Sequence, residues 1–522
     1  MQHEYSLRGI SSQSEGASGD SSVSTVIDNV TISKDFMKNP SFFDVERVEV
    51  LRGPQGTTFG RNASSGLVHI ITARPTEENE SRVRLEVGNY GATNFDGYIN
   101  ASGDGMSGRL AVNFDSHDGY INDTRRNVGL GQEENRAIRG SLIFNPSDSM
   151  QVYVKAEYNE DNDTNPAPRR GRDCSIPYQD AGQDSIVGPP QPGFNIVPTF
   201  TDSCDVFETQ TSEPTFLGDF FLDREIFNLT VEAQWDISDD ISGTAVFAHI
   251  SGESDYLIDA HGGPNNSMFQ STQNDAEQTS IELRFDNHAS GADTRWLAGL
   301  YYLTDEQTRD DQNIWYAENG VNFGVPGQHI PGPDGARYRP ETRDIKNAYG
   351  ETDSFGLFVT IDRDFNERLT GSIGGRYSHD SKDYRIAHTG YGWGGSNALL
   401  NKEACDNGCV FAPGADKFIC GYATNPDGSL IIENGSGVLD PIGYSDPVSV
   451  DDSWSNFSLK ASLDYQVGDD AILYGLVSQG YKTGGFQPEP PTPQDAVVPF
   501  DEETAINYEI GYKATLGGNF RI

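Results

Sequence analysis

Apolar and polar residues alternate with a period of two in many segments of about ten residues. In one of them, Val83, Leu85 and Val87 alternate with Arg84 and Glu86. The same alternation recurs at 110–114, 152–158, 227–235, 281–285, 296–302, 355–361, 457–465 and 508–512. Each segment is therefore predicted to be a β-strand with one apolar face and one polar face.

The connections between these predicted strands alternate between short and long. Connections such as 236–240 and 467–470 are tight turns, whereas 161–223 and 379–454 far exceed the about 15 residues usual in a compact soluble domain. A soluble sandwich or propeller would share the alternation but not this asymmetry. Short turns at one end and large loops at the other are typical of an outer-membrane barrel, so we expect an all-β membrane barrel with about 14 antiparallel strands present.

The first 75 residues follow a different pattern. Val45, Val48 and Val50 would supply a small core, a tight turn follows at 52–56, and 67–72 has the composition of a buried strand. We therefore expect a mixed α/β domain at 1–75 and the barrel at 76–522.

Acidic residues outnumber basic residues about two to one, which limits the kinds of molecule that the chain is expected to bind. The 522 residues include 37 Lys and Arg against 79 Asp and Glu, a net charge of −42. Nucleic acid is not expected as a partner, because phosphate binding needs clustered basic residues. We expect most acidic residues on outer loops, where divalent ions would bridge them to lipopolysaccharide. A generally acidic soluble surface is the alternative.

The five cysteines all lie in predicted long loops. Cys174 and Cys204 share one loop, and Cys405, Cys409 and Cys420 share another. In an oxidising exterior we predict a disulfide between Cys174 and Cys204 and one bridge among the other three. The alternative of a zinc site lacks a nearby His at ligand spacing.

Motifs for catalysis are missing from the sequence. No HExxH or GxSxG pattern occurs, and the glycine-rich stretch 390–395 lacks the strand-then-helix context of a dinucleotide site. We therefore expect neither enzymatic activity nor a resident metal or cofactor.

The segment 46–72 carries the most specific pattern in the chain. It resembles the second half of the plug domain of TonB-dependent outer-membrane receptors. The residues that carry the resemblance are Glu46, Arg47, Val48, Glu49, Val50, Leu51, Arg52, Gly53, Pro54, Gly56, Phe59, Gly60, Arg61, Asn62, Gly66, Ile70, Ile71 and Thr72. Segments 7–10 and 86–91 are similar to the upstream plug motif and the first barrel strand, and 478–486 and 508–513 are similar to late barrel motifs of the iron-complex branch.

The resemblance implies a 22-stranded barrel with a plug in its lumen. By that standard we expect the chain to be a fragment that lacks the N-terminal signal and TonB box and about eight C-terminal strands. The family implies a monomer in the bacterial outer membrane, surrounded by lipid and lipopolysaccharide. TonB, with its inner-membrane energising complex, would pull on the plug.

Two functional hypotheses follow. The first is import of a small-molecule ligand, a ferric siderophore by resemblance, with cobalamin or an oligosaccharide as alternatives. The second is a surface protein without transport, such as an adhesin, a phage receptor or a degenerate homologue that keeps the fold.

Ion pairs between plug and wall would act as latches, because a charge in a partly dry lumen needs a partner. By resemblance, Arg8 and Arg52 are the plug members of such pairs. The alternation puts Glu282 and Glu509 on the lumen face of their strands. The alternative is that both glutamates simply face water in the lumen.

Two segments are candidates for ligand contact. Lys34 and Lys38 lie where the outward apex of a plug is expected, and they would attract an anionic ferric chelate while Phe36 stacks on it. In a predicted outer loop, Tyr391 and Trp393 would also stack on a ligand. The alternative for both segments is an ordinary solvated turn or loop.

Overall fold

The computed structural model describes only part of the chain. The described residues are 5–10, 16–38, 42–123, 128–164, 220–259, 268–287, 291–316, 330–331, 337–338, 341–388, 409–411, 418–420, 447–468, 470–488, 490, 493–516 and 520–521.

A four-stranded mixed sheet forms the core of the N-terminal domain, which we call the plug. Its strands are β1 (Val23–Ile27), β2 (Val30–Ile32), β3 (Val45–Arg52) and β4 (Gly66–Thr72), in the order β2-β1-β4-β3. Strand β1 is parallel to β4, and the other two pairs are antiparallel. This sheet confirms the predicted plug.

Two short helical turns complete the plug. A 3-10 helix spans Asp35–Lys38, and helix α1 spans Gly56–Phe59. Between β1 and β2, Asp28 and Asn29 form a two-residue turn with φ of 48° and 70°. Both residue types tolerate positive φ, which a hairpin of this length requires.

The remaining strands follow the plug, with a second short helix, α2 (Pro493–Ala496), before the last ones. In chain order they are β5 (Glu80–Val87), β6 (Thr93–Gly103), β7 (Met106–His117), β8 (Ile121–Asp123), β9 (Val128–Leu130), β10 (Glu133–Ser147), β11 (Met150–Asp163), β12 (Phe221–Ser238), β13 (Ile241–Asp259), β14 (Met268–Asp286), β15 (Thr294–Tyr316), β16 (Ile330–Pro331), β17 (Arg337–Tyr338), β18 (Glu341–Asn366), β19 (Leu369–His388), β20 (Cys409–Phe411), β21 (Phe418–Cys420), β22 (Val448–Gln466), β23 (Ala471–Lys482), β24 (Gly485–Phe486), β25 (Pro499–Phe500), β26 (Glu503–Leu516) and β27 (Phe520–Arg521).

Fifteen of these strands form one antiparallel sheet, which we call the wall. Its order is β27-β26-β23-β22-β19-β18-β15-β14-β13-β12-β11-β10-β7-β6-β5. Fourteen of its members have at least eight residues, and β27 has two. The predicted number of strands is therefore confirmed. Strand β4 ends at Thr72 and β5 begins at Glu80, while the exact boundary at residue 75 stays a prediction.

The wall is apolar outside and polar inside. Ile281 on β14, Leu300 on β15 and Ile510 on β26 are exposed. On the opposite face of the first two strands, Gln278 and Asp305 are buried against the plug. This is the reverse of a soluble sandwich, whose apolar face points into a shared core. Among the described residues, no helix has both the length and the apolar character needed to cross a membrane.

The plug packs against the inner face of the wall. An apolar cluster joins Ile27, Val30, Ile32, Phe36, Met37, Val68 and Ile70 of the plug to Ile226, Val246, Ala248, Ile250 and Ala276 of the wall. Side-chain contacts of the plug reach from Arg109 on β7 to Glu509 on β26, so the sheet wraps around it.

Candidate functional site

One wall carboxylate on β15 binds two separate segments of the plug. Asp305 is almost fully buried, and its Oδ1 lies 2.6 Å from Nζ of Lys34. Its Oδ2 accepts a hydrogen bond of 2.7 Å from Nη2 of Arg61. A buried charge is tolerated when it is paired, so the three groups stabilise one another only while plug and wall are in contact.

In a second buried pair the charges are reversed, because the wall supplies the cation and the plug supplies the carboxylate. Nζ of Lys382 on β19 contacts the carboxylate of Asp20 in the plug and donates 3.2 Å to the carbonyl of Ser18. Asn62 donates 2.6 Å to the same carboxylate. Burial alone would raise the pKa of Asp20, but the positive charges of Lys382 and Arg61 hold it below its ordinary value. Asp20 is therefore ionised at neutral pH.

A third carboxylate lies in the β1–β2 turn of the plug. Asp28 accepts hydrogen bonds from the backbone N–H and hydroxyl of Thr72 at 2.8 and 2.7 Å. Its Oδ2 also lies 2.5 Å from Nζ of the buried Lys155 on β11. Burial opposes ionisation, but Lys155 and the hydrogen bonds lower the pKa of Asp28 to about 2. Asp28 thus ties the end of β4 to the wall.

Further ion pairs hold the edges of the plug where the chain enters and leaves its last two strands. Arg74 binds Glu232 on β12 through two hydrogen bonds of 2.9 Å. Asp44 accepts hydrogen bonds of 2.8 and 2.5 Å from Arg109, and its carbonyl accepts one of 3.2 Å from Arg139. Bidentate pairs of this kind are geometrically specific, so they fix the orientation of the plug.

Of the four predicted latch residues, the structure brings two together. Nη2 of Arg8 lies 3.5 Å from Oε2 of Glu509, and the two side chains are 48% and 30% exposed. Arg52 is exposed and has no polar contact with the wall within the described part of the chain. Glu282 contacts Arg284 at 3.2 Å, two residues along the same face of β14, and not a plug residue. For Arg52 and Glu282, no ion pair between plug and wall is present among the described residues.

The proposed outward apex is buried. Lys34 is held by Asp305, and Lys38 pairs with Asp35 inside the 3-10 helix. Phe36 packs in the apolar cluster between plug and wall. The expectation that these side chains face outward is thus corrected, because carboxylates and apolar neighbours already bind them. Tyr391 and Trp393 lie outside the described residues.

The plug motif forms a turn that docks on the wall. Gly53, Gly60 and Asn62 have positive φ values of 85°, 78° and 64°. A Cβ on Gly60 would lie 2.8 Å from the guanidinium carbon of Arg376 on β19, and the positive φ of Gly60 is a backbone conformation that favours glycine. In contrast, the motif residues Arg47 and Glu46 pair with each other on an exposed edge, next to the exposed Val48. Among the described residues, neither forms an ion pair with the wall.

The buried pairs of Asp20, Asp28 and Asp305 are not among the latches that the sequence predicts. The alternation did place Lys155 on the polar face of its strand, but it carried no signal for the plug residue opposite.

The predicted disulfides stay predictions. Cys174, Cys204 and Cys405 lie outside the described residues. The backbone of the β20–β21 hairpin places Cys409 opposite Cys420.

Two family models match the chain. Residues 157–522 match the model described as TonB dependent receptor-like, beta-barrel, and residues 1–67 match the TonB-dependent Receptor Plug Domain. The probable TonB-dependent siderophore receptor PirA of Acinetobacter baumannii is 32% identical over 124 residues, 21% of this chain and 16% of that protein. The pesticin receptor of Yersinia pestis is 37% identical over 67 residues, 13% of this chain and 10% of that protein.

Solved structures share the fold. The ferric yersiniabactin uptake receptor FyuA from Yersinia pestis gives a TM-score of 0.69 at 18% identity, covering 98% of this chain and 63% of that one. The siderophore receptor PiuA from Acinetobacter baumannii gives 0.62 at 12% identity, covering 98% of this chain and 66% of that one. The chain thus spans less than two thirds of the length of either structure.

Proposed function

Because the chain belongs to the TonB-dependent receptor family, we propose that it imports a ferric siderophore or a similar iron complex across the bacterial outer membrane into the periplasm. The family match and the names of the relatives support the ligand class. The observation that carries the mechanism is a plug held in the barrel by buried ion pairs of Asp20, Asp28 and Asp305.

These pairs make the plug a closed gate at rest. A buried charge that loses its partner without reaching water costs about 3–5 kcal/mol. Several such pairs would have to open together for a bulky ligand to pass, and each charge would have to be rehydrated as it left its partner. We therefore expect spontaneous opening to be infrequent.

An external source of work is therefore part of the proposal. In this family that source is TonB, which would draw on the proton gradient of the inner membrane through its energising complex. The chain itself would bind the ligand, seal the lumen and let the plug move, with no covalent chemistry. Lipid and lipopolysaccharide would surround a monomeric barrel.

The first test is uptake of radioactive iron, supplied as a ferric siderophore, in iron-limited cells. We expect uptake that requires both this protein and TonB. Equal uptake in cells that lack either one would contradict energised import. If cobalamin or an oligosaccharide competes with the iron complex, the ligand class changes while the mechanism stands. Surface exposure with no uptake of any of these ligands would favour the non-transporting homologue.

A reversible lock tests the movement of the plug itself. The backbone N–H of Ser33 donates 2.9 Å to the side-chain carbonyl of Gln278 on β14, so the length of one glutamine side chain spans the interface here. A direct disulfide needs a closer approach, so a short reducible bifunctional thiol reagent is used to join cysteines at the two positions. We expect the double variant Ser33→Cys with Gln278→Cys to lose uptake when it is cross-linked and to regain it when the linker is reduced. Each single cysteine variant is the matched control. Undiminished uptake in the cross-linked protein would mean that the ligand passes while this part of the plug stays fixed.

A further inference from the structure

The wall sends a short segment inward over the plug. We call residues 480–486 the strap: it contains the end of β23 and strand β24. Tyr481, Thr483 and Phe486 in the strap are at most 1% exposed. The strap lies within the late barrel motif that the sequence singled out, and nothing in the proposed transport mechanism accounts for its burial.

Polar contacts bind the strap to two separate plug segments. The backbone N–H of Asn62 donates 3.0 Å to the carbonyl of Tyr481, and the side-chain carbonyl of Asn62 accepts 3.3 Å from the N–H of Thr483. The hydroxyl of Ser18 donates 3.2 Å to the carbonyl of Phe486. One continuous piece of wall therefore holds the plug at both the start of its sheet and the turn after α1.

An aromatic cluster fixes the far end of the strap. The ring of Phe486 stacks on Tyr384 of β19 with centroids 5.6 Å apart, and it meets Trp454 of β22 edge-on at 5.9 Å. Ala17 of the plug joins the same buried cluster. Offset stacked and edge-to-face pairs are favourable arrangements, so the strap is anchored to the wall while it contacts the plug.

Two glycines permit this close packing. A Cβ on Gly480 would lie 2.9 Å from the carbonyl oxygen of Ala63 and 3.0 Å from Cβ of Pro54. A Cβ on Gly484 would lie 2.3 Å from Nε1 of Trp454. By contrast, a Cβ on Gly475, earlier in the same strand β23, would meet no atom within 4 Å. The strap and the plug turn thus touch through backbone atoms.

We propose that the strap is a restraint that keeps plug segments 16–24 and 54–66 closed against the wall, and that it must release them before the plug moves. The restraint at rest is independent of transport. Its release rests on the proposed function, because it assumes that the plug moves during import.

The test compares Gly480→Ala with Gly475→Ala in the resting protein, purified in detergent without ligand or TonB. Hydrogen exchange is measured by mass spectrometry. In Gly480→Ala we expect amides of 16–24 and 54–66 to exchange at least about tenfold faster, since the added Cβ separates strap and plug. Gly475→Ala should match the unmodified protein, and amides of β14 and β15 should be unchanged in both variants. Equal exchange in the two variants, or faster exchange in β14 and β15 as well, would overturn the proposal.

If Gly480→Ala fails to fold, a second pair of variants tests the strap. Phe486→Ala removes the aromatic anchor, and Phe457→Ala removes the same side chain from the outer face of β22, where Phe457 is 57% exposed. Only Phe486→Ala should accelerate exchange at 16–24. The exchange measurement needs no ligand, so the two proposals can fail separately. Absence of iron uptake by the unmodified protein would argue against the proposed function alone. Normal uptake by the unmodified protein, together with unchanged exchange in Phe486→Ala, would argue against the strap alone.

Discussion

Two carboxylates join the plug to the wall in different ways. Asp28 belongs to the plug and is bound both by Thr72 of the plug and by Lys155 of the wall. Asp305 belongs to the wall, and among the described residues its charged partners, Lys34 and Arg61, both come from the plug. Asp28 would therefore keep part of its hydrogen bonding if the plug left the wall, whereas Asp305 would lose both of its partners.

This difference separates folding of the plug from docking of the plug. Through Thr72, Asp28 connects the β1–β2 turn with the end of β4, so it contributes to the fold of the plug itself. The charged contacts of Asp305 among the described residues all cross the interface, so it acts chiefly on docking. Variants of the two residues should accordingly differ in what they loosen.

The largest effect is expected from Asp305→Asn. It would leave the buried cations Lys34 and Arg61 without their carboxylate, at a cost of about 3–5 kcal/mol to the docking of the plug. The free energy of plug opening, measured by native-state hydrogen exchange of β1 and β4, should fall by that amount. Asp239→Asn, on the exposed β12–β13 turn, is the matched control and should change nothing. A fall of less than about 1 kcal/mol would show that Asp305 with Lys34 and Arg61 is not a docking contact.

The second largest effect is expected from acid, which should lower the stability of the plug by protonating Asp28. Its pKa is lowered from 3.8 to about 2, so the stabilisation is fully present above pH 3.8 and is lost as the pH falls through 2. The difference corresponds to about 2 kcal/mol. Denaturant unfolding of the plug, followed between pH 5 and pH 2, should show this loss in the unmodified protein. Asp28→Asn should remove the step.

The control for this titration is Asp148→Asn on the exposed β10–β11 turn, which should leave the acid step in place. An identical pH profile in Asp28→Asn and the unmodified protein would assign the acid sensitivity to another group.

The sequence predicts the strands well and the pairs between plug and wall poorly, for a physical reason. Alternation along one strand reports which face is polar, and it placed Lys155 on the correct side. The partner of such a residue depends on how the plug is rotated in the lumen, and Lys155 and Asp28 are 127 positions apart. Periodicity has no access to that rotation.

The ligand candidates show the same limit. The outward apex is predicted for Lys34 and Phe36 from the place of their segment in the plug, and that place does not reveal which wall residues lie opposite. Their burial depends on Asp305 and the apolar wall residues, which lie more than 180 positions away in the chain. The resemblance predicts Arg8 as a latch candidate and the alternation predicts Glu509, but neither signal indicates that these two side chains lie 3.5 Å apart.

The smallest effect is expected from Arg8→Ala. Its pair with Glu509 is exposed and 3.5 Å long, so water and salt already weaken it, and its loss should cost less than about 1 kcal/mol. The same exchange measurement on the plug should detect this change only at low ionic strength, because screening removes the attraction in high salt. The effect of Asp305→Asn should persist in high salt, since its partners are dry. If Arg8→Ala loosened the plug as much as Asp305→Asn at every salt concentration, the exposed pair would hold the plug as strongly as the buried contacts of Asp305 with Lys34 and Arg61.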